Sequence, residues 1–183
     1  MHVLDQLLSR HERIRAVLDM LEQEVESLDQ EGSADLSAMK EGFYYLTQYL
    51  GPGDNNRERI VYRNVVAREQ RAARLVGELT QQHEELRRRS EELLESVEDM
   101  TEDVLVAKAE FDARAHRYIE LQRQHVAREE NELLPLADQL LTDDDWKRIE
   151  HTLRQQQWPS LSGIAPVETS HTVTGNTRKP ATS

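Results

Sequence analysis

The sequence predicts an all-α fold, an antiparallel up-down four-helix bundle with a short additional C-terminal helix. Apolar residues recur at three- and four-residue steps along four long segments, the mark of helices with one buried face. Glycine and proline are scarce, at 7 and 5 of 183 residues, and aromatics make up only 5%, which suits long helices rather than sandwiches or barrels. No segment sustains the period-two alternation of a half-buried strand. Residues 1–158 are expected to form one helical domain.

The first helix is expected from about Val3 to Asp29. Its stripe is Leu4, Leu7, Leu8, Ile14, Leu18, Leu21, Val25 and Leu28, and Glu31-Gly32-Ser33 closes it. A second segment, from about Ala34 to Leu50, carries Leu36, Met39, Phe43, Leu46 and Leu50. The run Gly51-Pro52-Gly53-Asp54-Asn55-Asn56 then breaks the pattern. Helical periodicity resumes near Arg57 and continues in one or two pieces to Val97, with Ile60, Val65, Ala72, Val76, Leu79, Leu86 and Leu93 in register. Thr101-Glu102-Asp103 reads as an N-cap with acids in the first turn. It would open a helix to about Pro135 along Leu105, Phe111, Tyr118, Leu121 and Leu133. Thr142-Asp143-Asp144-Asp145 reads as a variant capping box, with Asp145 in the usual Glu/Gln place. It starts a short helix through Trp146 and Ile149 to about Leu153. Residues 159–183 are rich in Ser, Thr, Gly and Pro without a stripe, and read as a disordered tail.

Composition excludes several classes of function. There is no cysteine, so disulfides, thiolate metal sites and cysteine nucleophiles are ruled out. The net charge of −12, from 35 acids against 23 bases, argues against a nucleic-acid partner, because phosphate binding needs a basic face. No stretch approaches the roughly 18 apolar residues of a membrane span. Met1 to Gln6 shows neither a basic n-region nor an apolar signal core, so a cytoplasmic location and no membrane partner are expected. No glycine-rich phosphate loop is present, and no serine, threonine or lysine arrangement suggests a hydrolase.

Three histidines interrupt three different apolar stripes: His11, His83 and His125. A polar ring among leucines is costly without a partner. Three such rings in one bundle can share a partner, a metal ion. Glu129 follows His125 by four residues, so the two project from one helix face and can grip one ion or bracket two. Glu130 is the competing choice for that carboxylate. In an antiparallel bundle His11, in the first third of its helix, lies level with His125, near the end of the last one. His83 can reach the same layer, and Glu58 can enter from the break before it. Imidazole and carboxylate without sulfur suit iron or manganese, and zinc also fits. His116 and His2 lie nine residues from His125 and His11, on opposite faces, and read as surface residues. So does His151, on the terminal helix, and His171 belongs to the tail. Tyr118 and Tyr62 fall at helical spacing from His125 and Glu58, but read as plain core residues.

The chain resembles the hemerythrin-like, or HHE cation-binding, family over roughly Val3 to Leu153. The run His125-Val126-Ala127-Arg128-Glu129-Glu130-Asn131-Glu132-Leu133-Leu134-Pro135 is similar to that family's last ligand helix, and Leu141-Thr142-Asp143-Asp144-Asp145-Trp146 to its ending. Gln82-His83 resembles its third-helix motif, and Ser9-Arg10-His11 its first-helix histidine. The resemblance implies a four-helix bundle around a di-iron centre, usually carboxylate- and oxo-bridged. His11, His83 and His125 would be terminal ligands, with Glu129 and Glu58 as bridges. One departure stands out. Where the family has a His-His-Pro-Lys/Arg-Glu-type motif, this chain has Asp54-Asn55-Asn56-Arg57-Glu58. Either Asp54 supplies oxygen to a more anionic site, or the second metal binds weakly or not at all.

Three functions are therefore carried forward. The first is a non-heme iron protein, di-iron, with an oxygen, redox or iron sensing role and dioxygen or another small diatomic as partner. The second is a metal-poor or zinc-loaded helical interaction protein. The third is a di-iron oxidase or peroxidase-like enzyme. A sensor or redox role ranks above reversible oxygen carriage, because only one third-helix histidine is present. A homodimer is compatible with any of them.

Overall fold

The computed structural model describes residues 3–49, 55–102 and 104–155. Asp54, His2, Asp103, His171 and the expected tail at 159–183 lie outside the described residues. The described residues form helices α1 (Val3–Gln30), α2 (Leu36–Tyr49), α3 (Asn55–Arg68), α4 (Ala73–Thr101), α5 (Lys108–Arg128), α6 (Leu134–Leu140) and α7 (Asp143–Gln155), with no strand among them. A 3-10 turn, Gln70–Ala72, separates α3 from α4, and a π-helical turn, Glu129–Leu133, joins α5 to α6.

Cross-helix pairs show that neighbouring helices run antiparallel. Glu24 accepts from the Asp35 amide, and Gly42 lies against Met20 and Leu21, pairing α1 with α2. Arg123 reaches Asp19 and Glu22, while Arg15 reaches Glu130, pairing α1 with α5 and the π turn. Arg128 meets Glu78, Gln82 meets His125, and Arg114 meets Ser96, pairing α4 with α5. The bundle thus has four staves: α1, α2 with α3, α4, and α5 continued through α6. Gly42 lets α1 and α2 pack closely, since a Cβ there would stand 2.9 Å from the Leu21 side chain. Gly32 closes α1 at φ +70, the left-handed conformation that glycine adopts without a Cβ penalty.

Two apolar clusters fill the interior. One holds Ile14, Leu18, Leu21, Met39, Phe43, Leu86, Leu93, Phe111 and Tyr118. The other holds Leu7, Ile60, Val61, Val65, Leu79, Leu133, Trp146 and Ile149. Between them, on α1, α4 and α5, lie His11, His83 and His125. The histidine layer therefore divides one core into two halves, which is why each ring interrupts its stripe without ending it. Outside, Arg87–Glu91, Arg88–Glu92 and Arg89–Glu85 line the solvent face of α4 at helical spacing, so the high charge is spent on solvated faces.

Two expectations for the fourth long segment are corrected. Thr101 does not cap a new helix but ends α4. Its hydroxyl donates to the Val97 carbonyl one turn back, and Val97 is fully buried, so packing carries the helix past the expected boundary. The next helix starts at Lys108 instead, and Leu105, expected on a buried stripe, is fully exposed in the connection. The capping box, by contrast, forms as read. The Thr142 amide donates to Asp145 Oδ2 at 2.9 Å and the Asp145 amide to Thr142 Oγ1 at 3.3 Å. Arg68 of α3 also pairs with Asp145 at 2.6 Å, which anchors α7 against the end of α3. Replacing Thr142 by alanine is expected to lower unfolding free energy by about 1 kcal/mol, read by denaturant titration.

Candidate metal centre

The layer between the two cores gathers side chains from every stave. His11 comes from α1, Glu58 and Tyr62 from α3, His83 from α4, His125 from α5 and Glu129 from the π turn. All six are buried, at 3% exposure or less. Five of these are positions the sequence singled out as ligands; the sixth predicted position, Asp54, is outside the described residues.

Glu129 sits at the middle. Its Oε2 lies 3.1 Å from His11 Nε2, and its Oε1 lies 3.6 Å from His125 Nε2 and 3.9 Å from His83 Nε2. Glu58 Oε2 approaches His83 Nε2 at 3.2 Å. None of the three Nε2 atoms, nor Glu129 Oε2, finds a partner in hydrogen-bond geometry. Buried polar atoms in folded proteins are nearly always bonded. Nitrogens and carboxylate oxygens that converge without pairing are arranged as donors around a cation are. Two groups of potential ligand atoms result, each within 4.8 Å throughout: His83, His125 and Glu129, and His11, Glu58 and Glu129. Glu129 belongs to both.

The outer nitrogens are held from behind. His125 Nδ1 donates to Gln82 Oε1 at 3.0 Å, and His11 Nδ1 to Glu130 Oε1 at 3.0 Å. These acceptors commit the Nδ1 hydrogens, so the Nε2 lone pairs of the neutral rings face the centre. The structure thereby separates the two adjacent glutamates. Glu129 enters the cluster, whereas Glu130 backs His11 and is itself gripped by Arg15. The π turn is the local cause. A π turn holds more residues than an α turn, so it rotates successive side chains differently, and such turns recur at functional sites. Nothing in the sequence marks it.

Electrostatics reflects the crowding. Burial, the largest influence on His11 and His83, lowers both rings. The carboxylates outweigh it, chiefly Glu129 for His11 and Glu58 for His83, and both end above the ordinary value of 6.5. Burial also raises Glu58, but His83, Arg10 and His11 hold it down to about 2. His125 falls to about 4, through burial first, and Glu129 does not restore it.

Sequence reading missed three contributors. Tyr62 is buried, as expected of a core residue, but its hydroxyl donates to Glu129 Oε1 in the centre, so the plain-core reading of Tyr62 is corrected. The signal was present in its spacing, one turn after Glu58 on the same helix face. Gln82 and the backing role of Glu130, which the sequence offered only as a rival to Glu129, carried no signal, because each is a sequence neighbour of a predicted ligand rather than a helical one. Tyr118 does lie in the core, packed on Phe43 with ring centres 6.1 Å apart. His116 and His151 are surface residues as read.

A buried histidine–carboxylate cluster inside an antiparallel bundle defines a helical metal-binding domain. A family model described as the hemerythrin HHE cation binding domain matches residues 2–137, and the chain belongs to that family. The match ends within α6, so α7 lies beyond it. No curated protein matches the chain. Among the described residues, no helix is long and apolar enough to cross a membrane.

The outer partners give a measurable effect. Gln82→Leu is expected to weaken metal binding by about 10–100-fold, because His125 loses the acceptor that orients it. Competition against a chelator of known affinity reads this. An unchanged affinity would mean that the Gln82 contact does not support the site.

Proposed function

We propose that this protein is a non-heme iron protein with a two-iron centre and a role in sensing or handling oxygen, redox state or iron. The observation that carries this reading is the pair of donor groups sharing Glu129. One carboxylate between two sets of nitrogen and oxygen donors suits a bridged pair of ions. His83 and His125 would hold one ion, His11 the other, with Glu129 and Glu58 between them and Asp54 as an added oxygen donor. Iron so held would supply redox chemistry and open positions for a small diatomic ligand. Manganese and zinc suit the same donors, and the experiment below separates them.

The residues themselves do three things. The apolar halves above and below exclude water from the layer. Gln82 and Glu130 fix two imidazoles with Nε2 inward. Glu58 and Glu129 bring negative charge to a site whose occupant is cationic.

Metal analysis of protein grown with iron available, with its near-ultraviolet and visible spectrum, tests this. Close to two irons per chain with oxo-bridge absorption is expected. About one metal per chain would restrict the site to a single donor group. No iron after anaerobic reconstitution would overturn the reading in favour of a helical interaction module.

The pH dependence follows from the shifts. A ligating imidazole must be unprotonated. His11 and His83 are raised, so protons compete with the metal from above 6.5 downward. Affinity should therefore fall as the pH drops, beginning at higher pH than an ordinary histidine would give. In the metal-free chain the signs differ by group. Glu58 contributes stability above 4.5 that is lost as pH falls through about 2. His125 removes stability as pH falls from 6.5 towards about 4, because the unfolded chain then takes up a proton that the folded one refuses. Metal titrations between about pH 5 and 8 check the first trend. A flat profile would mean that the raised histidines are not ligands.

A further inference from the structure

We propose that Tyr62 is itself a metal ligand, its phenolate oxygen completing the donor group formed by His83, His125 and Glu129. The inference rests on the metal reading above and extends it to a donor that the histidine–carboxylate pattern does not include.

The geometry starts at one oxygen. Glu129 Oε1 is faced by His125 Nε2 at 3.6 Å, by His83 Nε2 at 3.9 Å and by the Tyr62 hydroxyl, which donates to it. The phenolic oxygen is therefore in the same layer as the two imidazole donors and the carboxylate they share. Its ring is 2% exposed and lies parallel to His83, with ring centres 6.0 Å apart and planes 6° from parallel. Stacking on His83 and burial leave the hydroxyl little freedom to turn away. Glu58 stands one turn before Tyr62, so α3 presents two oxygen donors to the centre from a single face.

Chemistry then selects between proton and metal. Glu129 Oε1 is the carboxylate oxygen that faces both His83 and His125, so an ion bound between those two rings needs that oxygen. The hydrogen bond from Tyr62 uses the same oxygen. When the ion takes the carboxylate, Oε1 no longer accepts from the phenol, whose oxygen already stands among the donors of this layer. His83, His125 and Glu129, with Glu58 shared between the ions, give an ion four protein donors, fewer than the six of octahedral iron. Coordination breaks the Tyr62 O–H bond and forms an oxygen–metal bond. The proton passes to solvent, and no electron changes hands. A hard anionic oxygen favours the more oxidised ion, as carboxylates do.

Tyr118 provides the internal control. It is also buried, one heptad before His125, but it packs on Phe43 in the apolar half.

The test is the visible and resonance Raman spectrum of the iron(III)-loaded chain. Wild type is expected to show a phenolate-to-iron(III) charge-transfer band with tyrosine ring vibrations enhanced on excitation into it. Tyr62→Phe should lose the band while Tyr118→Phe keeps it. Tyr62→His, which retains a ligating atom, should hold iron without the band. Should the Tyr62 variants fail to fold, ring-deuterated tyrosine in wild type and in Tyr118→Phe gives the readout. Shifted ring modes in both support the assignment. Iron bound with no phenolate band, or a band that survives Tyr62→Phe, overturns it, and Tyr62 then only orients Glu129. That result leaves the metal reading standing, whereas failure to bind iron overturns both.

Discussion

Replacing Glu129 by glutamine is expected to abolish binding in both donor groups at once, so that metal content falls from about two ions per chain towards none. The other predicted ligands belong to one group each, while Glu129 belongs to both. The loss should exceed the about 10–100-fold that removal of an outer partner costs, because an inner donor and a negative charge go together. Glutamine keeps the volume, and its carbonyl can still accept from Tyr62, so the helical circular dichroism should not change. The comparison with Glu130→Gln makes the result specific. Glu130 touches only the far side of His11 and Arg15, so its variant should keep its metal and bind it less tightly. If Glu130→Gln loses the metal and Glu129→Gln keeps it, the π turn has been given the wrong role.

Metal loading is expected to raise the melting temperature by about 5–16 °C. An ion that binds only the folded chain adds about 2.7 kcal/mol at a free concentration of one hundred times Kd, and about 4.1 kcal/mol at one thousand times. For a chain of this size each kcal/mol moves the midpoint by about 2–4 °C. The structure supplies the reason. In this layer, Nε2 of His11, His83 and His125 and Oε2 of Glu129 are buried without a hydrogen-bond partner in the protein. Such atoms have lost water, and the carboxylates beside the rings attract them without a hydrogen bond to replace it. An ion satisfies them together and ties α1, α3, α4 and α5 at one level. Calorimetry before and after chelation reads the effect, and Glu129→Gln should show none of it. An equal midpoint with and without metal would mean that the layer is satisfied internally.

Much of this architecture is written in short-range pattern. The stripes of α1, α2 and α4 follow from helical periodicity, and the Thr142–Asp145 cap from residue types at fixed spacing. The three histidines were legible because each breaks a stripe, and a polar ring in a leucine file is expensive. Glu129 was legible as the helical partner of His125, with Glu130 left as its rival. All these signals lie within about one turn of helix, the range over which sequence spacing fixes direction.

The rest depends on contacts between residues far apart in the chain. Thr101 has the composition of a helix start, yet Val97 behind it is fully buried, and tertiary packing carried α4 through it. The choice of Glu129 over Glu130 rests on a π turn, where the angular step between neighbours is no longer that of an α-helix. Gln82 and Glu130 became outer partners only because antiparallel docking set them behind His125 and His11, 43 and 119 residues away. Tyr62 reached Glu129 across 67 residues for the same reason. The sequence by itself determined which faces are buried and which polar side chains must share a partner there, since burial of an apolar stripe is decided locally by its period. Only the tertiary structure decided which of those side chains meet, through which atoms, and what stands behind them, because those are distances between helices that no spacing along one helix encodes.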